Sequence, residues 1–310
     1  MSLRLRLLNL GLRLLVKPKL KRMHQPHQLR DSLERDAARY FRLADGCHVV
    51  DDLIRRPGKP ASVGMIEAQW VSLGRPDRRR VILYFHGGAY IAGSHRTHRH
   101  LGAALAGAAG VRAILPDYRL APDHPFPAAI EDALSSYQHL LNAGYDSSEI
   151  AVAGDSAGGG LAFALVLRLM QEELPAPACV VGFSPWVDMT GESPALETNA
   201  GRDAMLPSNR LEDAVSFVLN GHDPRDPLAS PALGDWVDPP PSMIMASKHE
   251  ILLNDAKLLA ERLRKAGGDV TLELWRHTPH AWPIFVGRLP EADQAVQSAG
   301  AFIARHLDVE

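Results

Sequence analysis

The chain has 310 residues, of which 46 % are hydrophobic and 23 % charged, with a formal net charge of −2. That length and apolar content support one large buried core, and the near-neutral balance argues against a nucleic-acid partner, which would call for a strongly basic surface. Two cysteines, Cys47 and Cys179, are too few for a disulfide framework; both are expected free, which fits a reducing compartment and gives cytoplasm as the expected location.

From Met1 to Leu20 many leucines are punctuated by Arg4, Arg6, Arg13, Lys17 and Lys19. Arg13 splits the apolar run and Pro18 follows it, so neither a signal peptide nor a membrane-spanning helix is expected. A basic amphipathic helix is left, a pattern that suits an anionic membrane surface. Gln28 to Leu43 also reads as helical, with Leu33, Ala37 and Tyr40 at helical spacing. His48–Ile54 and Gly64–Leu73 then read as an antiparallel strand pair, and the basic cluster Arg75 to Arg80 as the exposed turn after it.

The next apolar strand ends in His86-Gly87-Gly88. Two adjacent glycines after a strand let the backbone fold back with its N–H groups pointing into a cavity, as an oxyanion hole requires. Gly87 and Gly88 are therefore assigned as donors, with His86 a hydrogen-bonding buttress of the loop. His95, His98 and His100 follow closely. Three histidines can bind zinc, but no acid or cysteine accompanies them, so no metal is expected and most should be exposed or at a pocket rim.

Strand and helix now alternate. A helix over His100–Ala109, a strand over Val111–Pro116, a helix over Pro127–Ala143, a strand over Glu149–Ala153, a helix over Leu161–Glu173 and a strand over Ala178–Ser184 predict a mostly parallel sheet with helices on both faces. Ligands bind at the carboxyl ends of such strands. There the strand at Glu149 breaks into Gly154-Asp155-Ser156-Ala157-Gly158. Gly154 and Gly158 permit a tight strand-to-helix turn, and Ser156 at its tip reads as a nucleophile, with the Ala157 N–H a further oxyanion donor at the positive end of a helix dipole.

After Trp186 the composition shifts. From Asp188 to Asp238 helical pieces such as Ser208–Leu219 are separated by Gly, Pro and Asp clusters, with no strand to extend the sheet, which reads as an insertion. Its edge, Asp223 to Pro231, reads as a rigid loop rather than a metal site. A strand over Ser242–Ala246 leads to Glu250, an acid in the turn just past it, and a helix over Asn254–Ala266 contains the competing acid Asp255, expected in an exposed or capping role. The last strand, Asp269–Trp275, leads to His277 and His280. A serine nucleophile followed by an acid and then a histidine is the chain order of a strand-turn-helix serine hydrolase.

His86-Gly87-Gly88-Ala89-Tyr90, the run from Asp117-Tyr118-Arg119 to Pro127-Ala128-Ala129, and Gly154-Asp155-Ser156-Ala157-Gly158-Gly159 together resemble the hormone-sensitive-lipase-like esterases of the α/β-hydrolase fold. The resemblance runs from about residue 40 to the C-terminus and implies hydrolysis of short- or medium-chain acyl esters with no cofactor. It places the base at His280 rather than His277 and the acid at Glu250, where this chain has Glu250-Ile251-Leu252 instead of the commoner Asp-Pro-Leu. It assigns residues 1–45 and 188–238 to a helical cap, the N-terminal part being taken as cap in preference to membrane contact, and 46–187 with 239–310 to the α/β catalytic core. It also implies a homodimer through the edge strand Val270–Trp275. Tyr90, Tyr118 and Trp186 are candidate walls of the substrate pocket, with core packing the open alternative. Two other readings stay open: an amidase or formamidase on the same residues, and a non-catalytic receptor, a variant that typically lacks a triad member, whereas Ser156, Glu250 and His280 are all present here.

Overall fold

Successive side chains of a strand point to opposite faces, and Val81 to Phe85 are apolar on both, so this segment needs cover from two sides. In the computed structural model, which describes residues 1–60 and 64–309, it is the last part of a central strand. The strands are β1 (Cys47–Arg55), β2 (Met65–Leu73), β3 (Asp77–Phe85), β4 (Val111–Pro116), β5 (Ile150–Asp155), β6 (Cys179–Phe183), β7 (Ser242–Ser247) and β8 (Val270–Trp275). They form one sheet in the order β1-β2-β4-β3-β5-β6-β7-β8. β1–β2 and β2–β4 pair antiparallel and the rest parallel, so the sheet is the mostly parallel one expected, with β8 at an edge.

The main helices are α1 (Leu3–Gly11), α2 (Lys17–Arg22), α3 (Pro26–Tyr40), α4 (His95–Ala109), α5 (Ala128–Asn142), α6 (Ala157–Gln171), α7 (Ala195–Thr198), α8 (Leu211–Leu219), α9 (Leu253–Lys265) and α10 (Pro290–His306). Val81, Leu83 and Phe85 pack with α5, α6 and α9 on one face; Ile82 and Tyr84 pack with α4 and α10 on the other. Between α1 and α2 a π-turn spans Leu12–Val16, where Lys17 donates to the carbonyl of Leu12. Pro18 has no N–H to give, and the wider turn absorbs the missing bond.

Three local expectations need correction. Helix α4 begins at His95, not His100, because Ser94 caps it and Thr97 returns a bond to the Ser94 backbone, a reciprocal capping box. His95, His98 and His100 are consequently buried rather than exposed. The basic cluster is not simply a solvated turn: Asp77 to Arg80 belong to β3, and Arg80 binds Asp77 and the carbonyls of Leu307 and Asp308, fastening the C-terminal tail. Cys47 opens β1 and Cys179 opens β6, and both are free.

Candidate active site

Ser156 lies between β5 and α6 with φ 53° and ψ −121°, a conformation that a non-glycine residue adopts only when its surroundings hold it there. Its N–H donates to Phe183 O at 2.8 Å, and its carbonyl accepts from Gly160 and Trp186 at 3.0 and 2.9 Å. The turn is so tight that a side chain at 158 would put its Cβ 2.1 Å from Phe85 O, so that position must be glycine. The half-buried Ser156 hydroxyl is thereby turned toward the loops after β7 and β8.

Those loops bring two of the expected groups to it. His280 Nε2 is 2.8 Å from Ser156 Oγ, and His280 Nδ1 is 2.7 Å from Glu250 Oε2. The second oxygen of Glu250 accepts from the Ser247 N–H at 2.7 Å. Both side chains are buried. Burial alone would pull the His280 pKa down, but the hydrogen bond and negative charge of Glu250 outweigh it and leave the pKa raised. The arrangement can therefore accept a proton from Ser156 and hold the resulting imidazolium.

His277 is turned away, its N–H 3.2 Å from His249 Nδ1. Asp255 is bonded elsewhere than to His280, and it is not exposed. It is buried in the first turn of α9, where it accepts weakly from the Val187 and Asp188 N–H groups at 3.3 and 3.2 Å. Burial first, then the charge of Asp188, lifts its pKa well above the usual carboxylate range.

The glycine loop departs from the expectation by one residue. The Gly87 N–H donates to Asp155 Oδ1 at 3.1 Å, so it is already committed to the protein. Gly88, at φ 124°, turns the chain so that its own carbonyl accepts from Ile91 and Ala92. Among the described residues the N–H groups of Gly88, Ala89 and Ala157 donate to no protein group. The unpartnered Ala89 N–H is the one that sequence reasoning missed. Behind the loop, Asp155 also accepts from Tyr84 Oη at 2.7 Å and faces His98 Nε2 at 3.4 Å. Burial opposes its ionisation, but the neighbouring His98 and Tyr84 prevail and lower its pKa.

His86 packs as a buttress, with Nδ1 2.9 Å from Gly87 O and its ring stacked 4.3 Å from Tyr118; burial drives its pKa to about 4. Tyr118 donates to His86 O at 2.6 Å, so it supports the loop from the core rather than walling a pocket. Trp186 is likewise buried, with its indole N–H on Asp188 O. Tyr90 does line a narrow cavity of about 20 Å³, together with Met189 and Leu161. A larger cavity of about 120 Å³ opens beside Ala89 and Ile251, roofed by Leu20, Met23 and Leu29 from the N-terminal segment and Phe217 from α8. The other two histidines of α4 are separately partnered, His95 by Asp117 at 2.7 Å and His100 by Ile284 O at 2.7 Å. Among the described residues no group of three His, Cys, Asp or Glu side chains is placed to hold a metal ion.

A family model described as the alpha/beta hydrolase fold matches residues 82–284. The crystal structure of an esterase from the bacterial hormone-sensitive lipase family superposes with a TM-score of 0.90 at 35 % identity, covering 99 % of each chain. The chain belongs to the hormone-sensitive-lipase-like carboxylesterases. An acetyl-hydrolase of Streptomyces hygroscopicus is 42 % identical over 80 % of this chain and 82 % of its own length. An esterase of Acinetobacter venetianus is 36 % identical over 74 % and 76 %. As a member of this family of carboxylic ester hydrolases, the chain has the strand ends β3, β5, β7 and β8 from which its site emerges. Among its described residues no helix is long and apolar enough to cross a membrane.

Proposed function

We propose that this carboxylesterase hydrolyses short- to medium-chain acyl esters through an acyl-enzyme on Ser156. The observation that carries the reading is the unbroken line Ser156 Oγ, His280, Glu250, with contacts of 2.8 and 2.7 Å, opening beside three N–H groups that have no protein acceptor among the described residues. In the first step Ser156 Oγ attacks the ester carbonyl while His280 Nε2 takes its proton. Glu250 holds Nδ1–H and steadies the imidazolium. The oxyanion meets the N–H groups of Gly88, Ala89 and Ala157, the last at the start of α6. Collapse expels the alcohol, protonated by His280; water activated by the same nitrogen then attacks the acyl carbon, releasing the acid and restoring Ser156.

Residues 1–45 and 188–238 act as the cap, since Leu20, Met23, Leu29 and Phe217 roof the cavity beside Ala89. Its volume of about 120 Å³ favours acyl chains of a few carbons. The edge position of β8 suits the homodimer. The test is hydrolysis of a p-nitrophenyl ester series from acetate to palmitate by wild type and Ser156→Ala. A serine-dependent optimum at short or middle chains is expected. Undiminished turnover by Ser156→Ala would end the assignment, and a long-chain optimum would end the substrate class.

A further inference from the structure

The cap reading accounts for only one face of the N-terminal helix. Leu5 and Leu12 are buried against the body, and Arg13 and Lys17 are spent on the carbonyls of Gly201, Arg202, Ala200 and Asp203. On the opposite side Leu3, Leu7, Leu10 and Leu14 stand 71, 61, 53 and 64 % exposed. Their spacing of four, three and four residues puts them in one stripe. Nothing among the described residues covers that stripe, and scattered surface leucines do not line up in this way.

Charge decides among the possible occupants. Between Met1 and Arg30 the chain has eight Lys and Arg and no Asp or Glu. The side chains of Arg4, Arg6, Lys21 and Arg22 have no partner among the described residues. Beside the stripe, Arg6, Leu10 and Arg13 also border an open crevice of about 710 Å³, shared with Arg202, His249 and His277. A second copy of the helix would set these cations against one another. A surface of phosphate groups over acyl chains matches both the stripe and its cationic flanks.

We propose that this outer face docks on an anionic lipid surface, with the leucine stripe in the headgroup boundary and the crevice beside it receiving headgroup phosphates. The same helix ends at Arg22, next to Leu20 and Met23 over the cavity beside Ala89, so docking brings the mouth of the site to the lipid. The proposal concerns attachment, and it stands or falls separately from the esterase reading.

The experiment is flotation of the full chain with vesicles of phosphatidylcholine alone or mixed with phosphatidylglycerol, in low and high salt. Wild type should float with the mixed vesicles only and be released by salt. Arg4→Gln with Arg6→Gln should weaken partition by about fivefold per residue, and Leu7→Gln with Leu14→Gln by about tenfold or more each. Both double variants should keep the wild-type melting temperature and vesicle-free p-nitrophenyl acetate turnover, since these side chains touch neither core nor site. Failure of wild type to float, equal binding to neutral vesicles, or wild-type binding by either double variant overturns the proposal. So does conversion of a dimer to a monomer by the leucine changes, which would mean that a second copy covers the stripe.

Discussion

Replacing Glu250 by Gln tests the chemistry with little change of shape. The amide oxygen can still accept the Ser247 N–H, now 2.7 Å from Oε1, so the loop should keep its fold. Its NH₂ then faces His280 Nδ1, 2.7 Å away in the native pair. That nitrogen must become the acceptor, which leaves the proton on Nε2, pointing at Ser156 and unable to receive another. The Glu250 side chain is fully buried, so the imidazolium formed during attack would lose the one carboxylate bonded to it and keep only the weaker influence of Asp203 and Asp155. Removing one partner of a buried pair costs about 3–5 kcal/mol, which at about 1.4 kcal/mol per decade is two to nearly four powers of ten in rate. The pH profile should move too. Activity requires neutral His280, whose pKa Glu250 holds up against burial; without that charge burial dominates, and the rising limb of kcat/KM should shift to lower pH. Steady-state kinetics on p-nitrophenyl acetate across pH, with a melting curve for the fold, would measure both effects. A loss below about tenfold with the limb unmoved would refute the assignment of the acid and the tautomer argument with it.

Asp255→Asn should behave in the opposite way and keep most of the activity. Its folded pKa is raised by burial, so folding takes up a proton, and its contribution weakens as pH rises from the unfolded carboxylate value toward the raised one. Melting temperature against pH should therefore lose a downward slope in the asparagine variant, and a catalytic collapse instead would make Asp255 part of the machinery. Gly88→Ala puts a Cβ 2.1 Å from Ala92 O at a φ of 124°; the loop must shift, and kcat should fall by about two to three powers of ten, as for loss of an oxyanion donor. Near-normal kcat would remove this loop from the reaction. Asp155→Asn keeps an acceptor for Tyr84 or Gly87 but loses the charge facing His98. It should lower kcat by about ten- to a hundredfold through misplacement of the donor loop, with KM little changed; a pure KM effect would count against that positioning role.

The sheet was legible because its central strands are short apolar runs closed by Gly or Pro, a pattern set by burial on both faces. The mutual order of Ser156, Glu250 and His280 followed from the same framework. What escaped depended on contacts distant in sequence. Two consecutive glycines do not say which N–H is free; that is decided by Asp155, 68 positions from Gly87. The start of helix α4 is hidden because His95, Arg96 and His98 look polar, although Asp117 and Asp155 supply partners for the two histidines inside the fold. One signal was available in Ser94-x-x-Thr97, where threonine stands in for the usual Glu or Gln of a capping box. Arg80 likewise reads as solvent-facing until the C-terminal carbonyls reach it.

The two halves of the site are held by different parts of the fold. Ser156 and the donor loop form one body: Phe183, Gly160 and Trp186 lock the strained serine, and the residue before it, Asp155, holds Gly87. All of these belong to the parallel strands β3, β5 and β6 or their immediate ends. Glu250 has no such support from the sheet beyond Ser247. Its backbone carbonyl accepts from Asn199 Nδ2 at 2.9 Å, and the next N–H, of Ile251, donates to Asp203 Oδ2 at 3.0 Å. Asn199 and Asp203 stand on the segment between β6 and β7, and Lys17 grips that segment through the carbonyls of Ala200 and Asp203, both at 2.8 Å. The loop that carries Glu250 is thus braced by 199–203, and 199–203 by the N-terminal helix. In the proposed mechanism, movement of that helix would loosen Glu250 while leaving Ser156 and the N–H groups beside it in place, so covering the cavity and aligning Glu250 would be two consequences of one packing event.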